Sequence, residues 1–445
     1  MKRILLAYIN DAHVGTLVAE DNIWRFEYTD TWATDNKGYD LSPNLPRVDA
    51  EGKPSIHIDG STTRPVQWYF DNLLPEETLR TILAKEAKVA IEDAFGLLEA
   101  YGRESAGSLT LLPEGVLPEQ GGKRKLSLKE LSDRIKAMPR IPLNADSPKK
   151  MSLAGAQHKL AVIYQDGEIY EPDGQAASTH ILKPEHPEKN RYPSTVINEY
   201  FTMRVANLAG LDVPKVYRLF CPEPVYLIER FDRAIHQDGR VDRLHVIDGC
   251  QLLNIDRVFK YDAASTESLA KLAQRLSVPA VGRLWFFDWI VFNILMGNGD
   301  NHLKNISFMV SHDGIQISPC YDLLSTAAYE TQAIDKEHAS WPKTDFPIRL
   351  GQAQKFFSEI TREDIIETGK KLGLSGDTAT RRLNNLLKKV PLAFSHLKSE
   401  ITIENAKLPE DARWKVEGDG RMIGIMEKYI MHPMVKQLSG MDDRN

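Results

Sequence analysis

At 445 residues the chain is long enough for two or three cooperative units, since a domain commonly holds roughly 100 to 200 residues. With 42% hydrophobic and 27% charged residues and a formal charge of −6, its composition excludes the disordered and fibrous classes. It also lacks the basic balance that would hold nucleic acid unaided, so any DNA contact must come from a local patch or a partner. Cys221, Cys250 and Cys320 are too widely spaced for a zinc or redox motif and odd in number for a disulfide framework, which fits a reducing cytoplasm.

The chain opens with Met1-Lys2-Arg3 and the apolar run 4–9, which imitates a signal peptide until Asn10-Asp11 ends it without a small-residue cleavage site. It reads as a strand. Together with 14–18 and 23–28 it forms a β-meander, the runs being separated by turn-rich stretches. From Leu74 the period becomes helical, with Pro75 suited to a first turn and apolar residues recurring as far as Leu98. A strand at 109–112 follows, and Gly121-Gly122-Lys123-Arg124-Lys125 reads as a polar connection. Ser127 and Glu130 have capping-box spacing for a short helix. A cluster of prolines and charges places the main boundary near 140–150.

Beyond it the expected order is strand (160–164), strand (179–182), helix (198–209, closed by Gly210) and two strands (213–220 and 225–228). After Gly282 the pattern turns helical. Residues 284–296 are apolar nearly all round and should be buried; interrupted by Asp288 and Asn293, they are too short for the roughly 18 to 20 residues of a bilayer span. No membrane span is expected. Residues 381–390 carry Leu383, Leu386, Leu387 and Val390 on one helical face. The fold class is therefore α+β: a β-rich N-terminal subdomain (1–145), a sheet-rich lobe (146–235) and a helical lobe (236–445).

Four segments carry chemistry. The first is Gly297-Asn298-Gly299-Asp300-Asn301-His302-Leu303-Lys304-Asn305. Phosphoryl transfer needs a carboxylate to orient the attacking hydroxyl and a nearby neutral oxygen ligand for a Mg²⁺ that bridges phosphates; Asp-x-x-x-x-Asn supplies both. Taken alone, Gly-Asn-Gly-Asp-Asn would equally suit a turn. It is followed, however, by two short strands (306–310 and 315–317) joined by Ser311-His312-Asp313-Gly314, then by Pro319-Cys320-Tyr321-Asp322. A hairpin joins its ends, so Asp322 should arrive beside Asn305 as a second metal ligand. The order of the parts favours a kinase.

The second is Ser152-Leu153-Ala154-Gly155-Ala156-Gln157-His158-Lys159, where small side chains would let backbone N–H groups approach phosphates; alone it would also suit a plain loop. The third is Lys183 at a strand end with Glu199 on the next helix, a phosphate-neutralising lysine and the carboxylate that could hold it, or two ordinary surface charges. The fourth is Tyr226-Leu227-Ile228-Glu229-Arg230-Phe231-Asp232, an apolar strand turning polar, where backbone groups could bond an adenine or a strand could simply end.

Together with Phe70-Asp71-Asn72-Leu73-Leu74-Pro75 and Gly102-Arg103-Glu104-Ser105-Ala106-Gly107, these segments resemble the HipA family of serine/threonine kinases, the toxin halves of bacterial toxin–antitoxin pairs. The resemblance runs from the first strand to at least Tyr329. The catalytic loop also resembles that of phosphoinositide-3-kinase-like enzymes, which lack such an N-terminal unit, and implies a divergent two-lobed protein-kinase-like fold using ATP and Mg²⁺. By position the resemblance makes Asp300 the catalytic base and Asn305 and Asp322 the metal ligands. It makes Ala154, Gly155, Ala156, Gln157, His158 and Lys159 the phosphate loop, with Lys183, braced by Glu199, on phosphate and Glu229, Arg230 and Phe231 as the adenine hinge. His302 and Lys304 lie near the nucleotide, and Ser152 becomes the site of an inactivating autophosphorylation, a dianion inside the phosphate loop repelling ATP.

The same likeness implies an aminoacyl-tRNA synthetase, notably the glutamyl enzyme, as substrate, a HipB-like helix-turn-helix antitoxin as partner, and DNA contact only through that complex. Residues 330–349, where substrate docking is implied, depart from the family pattern. Arg381, Arg382, Lys388 and Lys389 form a basic cluster that would be either a solvated helix face or a DNA contact. The competing functional reading is a catalytically silent kinase fold that holds antitoxin and DNA. A third is a small-molecule or lipid kinase; the absence of an expected membrane span and the N-terminal unit weigh against the lipid version.

Overall fold

The computed structural model describes residues 2–105, 107–117, 121–148, 158–351 and 353–440, without the side chain of Thr78. The chain forms two compact units built from interleaved segments. The first comprises Met1–Lys183, Glu229–Lys260 and Ser307–Ser318; the second comprises Pro184–Ile228, Tyr261–Ile306 and Pro319–Asn445.

The first unit begins with the expected meander. Strands Arg3–Ile9, Ala12–Glu20 and Ile23–Tyr28 pair antiparallel, and Ile56–Ile58 and Leu109–Pro113 extend the sheet at its two edges. Alternation sends Leu5, Leu17, Trp24 and Phe26 into a core against the helices Pro65–Asp71, Glu77–Ala87 and Ala94–Tyr101. There Trp24 meets Phe95 edge to face at 5.2 Å, and Phe26 meets Phe70 at 5.4 Å. Pro75 does not open a helix, as the sequence suggests; it precedes Glu76, the N-cap of the next one. The expected connection at 121–125 is also a strand, Gly122–Lys125. It is exposed along its length and held by pairing to Glu168–Asp173. That strand in turn pairs with Leu160–Gln165, and the latter with His180–Pro184. Ser127 caps the helix Leu128–Ala137 by accepting from the Glu130 N–H, as its spacing predicts.

A buried ion cluster lies inside this unit. Glu104 accepts from Arg230 (3.3 Å), Arg233 (3.0 Å), Arg243 (3.1 Å) and the Ser178 hydroxyl (2.9 Å). Asp232 accepts from Arg230 (2.6 Å) and from the Gly107 N–H (2.8 Å). Burial alone would raise the Asp232 carboxyl, but the Arg230 and Arg233 guanidiniums hold it down at about 2.

His245 is buried nearby in sequence terms, against Ser108 Oγ (2.9 Å), the Leu41 carbonyl (2.9 Å) and the Tyr69 hydroxyl (3.3 Å). Burial pushes its pKa from 6.5 down to about 4. The unfolded chain therefore takes up this proton first as pH falls. The stability that His245 contributes is complete above about pH 6.5 and is lost between 6.5 and 4, by up to roughly 3 kcal/mol. Urea unfolding across that interval should show a shallower pH slope for His245→Gln than for the intact chain; equal slopes would show that the histidine does not titrate this way.

The second unit is mainly helical. The helix Pro279–Met296 starts with Pro at its first turn and ends at Gly297, whose φ of 62° and close neighbours, Ala327 and Ile430 at 2.7 Å from a would-be Cβ, admit only glycine. It is the one described helix long and apolar enough to cross a membrane, and most of it is buried inside the protein. Asp288, the charge that interrupts its apolar face, receives Arg382 through Nε at 2.8 Å. Residues 381–390 belong to a much longer helix, Gly376–Ala406, which continues through Pro391 because Ala393, Phe394, Leu397 and Ile401 prolong the buried stripe. Phe394 packs on Phe201 of the helix Thr195–Ala209 at 4.7 Å. Arg381, Lys388 and Lys389 are exposed. The three cysteines are buried and form no disulfide.

Candidate active site

The loop after Met296 is shaped by a relay of asparagine amides. Buried Asn293 donates to the Trp289 carbonyl (2.8 Å) and accepts from Asn298 Nδ2 (2.7 Å), while Asn298 Oδ1 accepts the Asp300 N–H (3.0 Å). Asn301 Nδ2 returns to the Asn298 carbonyl (2.8 Å), and the Gly299 N–H is taken by Thr326 Oγ1. With their backbone partners fixed, Asn298, Asn301 and His302 are buried whereas the Asp300 side chain stays 51% exposed. One carboxylate is thus presented outward from a rigid turn.

Asn305 closes the loop by donating from Nδ2 to the Asp300 carbonyl (2.7 Å), leaving its amide oxygen as the acceptor suited to a cation. The strands Ser307–Ser311 and Gly314–Ile317 pair as the expected hairpin, with Phe308 opposite Ile317, and the chain returns to Tyr321-Asp322. Two bonds attach this return to the loop: Tyr321 OH donates to the Lys304 carbonyl (2.8 Å), and Asn298 Nδ2 reaches the Asp322 carbonyl (3.5 Å). Asp322 has φ of 52°, a left-handed conformation rare outside glycine and tolerated by aspartate, of the kind that clusters at functional sites. Burial raises the Tyr226 phenol well above its usual range, and the carboxylates of Glu199 and Asp322 push it further the same way. Glu199, Tyr226 and Asp322 therefore share one neighbourhood in the second unit.

Among the described residues no group of three or more His, Cys, Asp or Glu side chains is placed to hold a metal ion. Asp300, Asn305 and Asp322 carry donors of another kind, two carboxylates and an amide, hard oxygen groups of the type that fits Mg²⁺.

Of the remaining candidates, Ser152, Ala154, Gly155, Ala156 and Gln157 lie outside the described residues. His158 and Lys159 are half-buried ahead of the strand Leu160–Gln165 and line a small crevice with Pro75 and Leu143. Lys183 is buried near the end of its strand, Glu199 and Lys304 are buried in the second unit, and Glu229 and Phe231 are half-buried. The Arg230 side chain is committed to the ion cluster, and its N–H donates to the Thr179 carbonyl (2.9 Å). Any contact it makes with a base would have to use its carbonyl. Sequence reasoning named Asn293 and Asn298 without giving either a role and passed over Thr326 and Tyr261, all of which shape or touch the loop. The available signal was Asn293 itself, an amide on a helix buried all round, since a buried amide needs partners.

A helix-capped loop presenting an aspartate, with an asparagine five residues on and an aspartate returned by a hairpin, defines a divergent protein-kinase-like α+β fold behind a β-rich N-terminal subdomain. Comparison with known proteins agrees. The HipA N-terminal domain family matches residues 5–112, and the HipA-like C-terminal domain family matches 151–394. The protein Y4mE of Sinorhizobium fredii is 32% identical over 86% of this chain and 89% of its own length. The serine/threonine-protein kinase toxin HipA of Shewanella oneidensis is 31% identical over 74% of this chain and 78% of its own. The structure of Shewanella oneidensis HipA in complex with HipB and operator DNA superposes with a TM-score of 0.76 at 27% identity, covering 98% of this chain and all of that one. The chain belongs to the HipA family of serine/threonine-protein kinase toxins.

Proposed function

We propose that this protein is an ATP- and Mg²⁺-dependent serine/threonine kinase that arrests growth by phosphorylating a translation factor, an aminoacyl-tRNA synthetase such as the glutamyl enzyme. It switches itself off by phosphorylating Ser152, and a HipB-like helix-turn-helix antitoxin neutralises it. The observation that carries this reading is the attachment of Tyr321-Asp322 to the loop bearing Asp300 and Asn305. Those bonds tie the backbone of residues 321–322 to the loop that carries Asp300 and Asn305, which supports a shared role for the three oxygen-bearing side chains.

Asp300 takes the proton of the attacking serine hydroxyl, which is held in line with the terminal phosphate. Asn305 and Asp322 would hold the divalent ion, which would supply positive charge against the developing charge of the transferred phosphoryl group. Lys183, the segment 154–159, His302 and Lys304 bind nucleotide, Glu199 supports the lysine, and the Glu229–Phe231 segment receives the base. The lobes of this kinase are residues 146–235 and 236–445. DNA is reached through the antitoxin, with Arg381, Lys388 and Lys389 as the exposed cations of the long helix.

The reading is tested by expression in a bacterial host. The intact chain should stop growth and Asp322→Ala should be tolerated at equal protein level, with phosphopeptides that differ between the two identifying the substrate. Equal arrest by both would make the protein a non-catalytic binding module. Labelling at Ser152 in Mg²⁺ and ATP checks the self-inactivation; labelling elsewhere alone would refute it.

A further inference from the structure

Asp300 is addressed by a residue that the phosphoryl-transfer scheme does not use. Tyr261 OH donates a hydrogen bond to Asp300 Oδ1. His302 Nε2 stands 3.9 Å from the same oxygen, and the Tyr261 ring meets the His302 ring edge to face, with centroids 4.9 Å apart and planes at 81°. The histidine side chain is only 8% exposed, so it forms a fixed wall behind the phenol. The tyrosine backbone is anchored because its carbonyl accepts the Ala264 N–H at 2.9 Å. Although its side chain is half in solvent, Asp300 is held by the phenol through Oδ1, with the imidazole standing beside the same oxygen.

We infer that Tyr261 is a positioning residue, which fixes the Asp300 carboxylate by Oδ1 so that Oδ2 is turned to the hydroxyl of the incoming serine. This rests on the reading of Asp300 as the base. A carboxylate has two oxygens and about four acceptor sites, so a donor on one leaves the other able to take the substrate proton. The contribution is orientation: the base is already aimed when the hydroxyl arrives, and the transition state is not charged for freezing it. The phenol keeps its proton throughout, and the serine proton goes to Asp300.

Self-labelling of the full chain with γ-labelled ATP and Mg²⁺ tests this. Tyr261→Phe keeps the ring against His302 and removes only the hydroxyl. It should lower the first-order labelling rate at saturating ATP by about tenfold, the loss expected for one hydrogen bond to a charged group. The half-saturating ATP concentration should stay within about twofold, a split that general destabilisation would not give. In the nucleotide-free protein, the ¹³Cζ signal that disappears in Tyr261→Phe should move in Asp300→Ala. A signal indifferent to Asp300→Ala, or a Tyr261→Phe rate equal to or above that of the intact chain, would overturn the inference; a faster rate would mean that the phenol blocks the base. Asp300→Asn run alongside separates the two failures: full labelling by that variant removes the base assignment itself, whatever Tyr261 does.

Discussion

Asp300→Asn is expected to lose about three orders of magnitude in phosphoryl transfer while keeping its fold, since a positioned general base is worth roughly 10²- to 10⁴-fold. The substitution is well suited to separating chemistry from structure. The backbone N–H of residue 300 still bonds Asn298 Oδ1, its carbonyl still accepts from Asn305, and an amide oxygen can still accept from Tyr261. Only the ability to take a proton goes. Labelling with γ-labelled ATP, beside a thermal melt and a nucleotide-binding titration, measures all three; a rate within tenfold of the intact chain would remove Asp300 from the mechanism.

The second large effect falls on stability. Glu104→Gln should destabilise the first unit by about 3 to 5 kcal/mol, the cost of breaking a buried ion network from one side. Glu104 is the common acceptor of Arg230, Arg233 and Arg243, and all of these side chains are almost wholly excluded from water. Without its charge, Arg230 and Arg233 would rely on Asp232 and Arg243 on the Gln175 and Ala176 carbonyls, and Arg233, already pushed down to about 10 by burial and by Arg230, would be least well compensated. Urea unfolding followed by tryptophan fluorescence reports this, Trp24 lying in the core of the same unit. A midpoint unchanged within error would mean that the cluster is neutral to folding.

That cluster also shows that a motif visible in the sequence can carry a structural task that the sequence does not reveal. Glu229-Arg230-Phe231-Asp232-Arg233 stands out in the sequence as an apolar strand turning charged, and the adenine hinge is the role it suggests. In the fold, Arg230, Asp232 and Arg233 point their side chains into an ion network with Glu104, more than a hundred residues earlier. No local pattern announces such a pairing. Helix ends behave differently. Ser127, Gly210 and Gly297 act where their residue types predict, because capping is settled within one turn of chain. At Pro391 packing decides instead of local chemistry. The proline's local cost is real, yet four further buried residues on the same stripe outweigh it.

The sequence by itself determined the meander, the buried helix 284–296 and the order of loop, hairpin and aspartate. Each of these follows from alternation, helical period or turn chemistry acting over a few neighbouring residues. It also carried the family likeness, because several separated motifs occur in one order. Only the tertiary structure decided how the Asp300 loop is held: the amide relay from Asn293, the clamp by Thr326, the bond from Tyr321 and the approach of Tyr261. Those contacts bridge up to 39 positions, and hydrogen bonds of that reach depend on where packing brings the chain, which no short window of residues encodes.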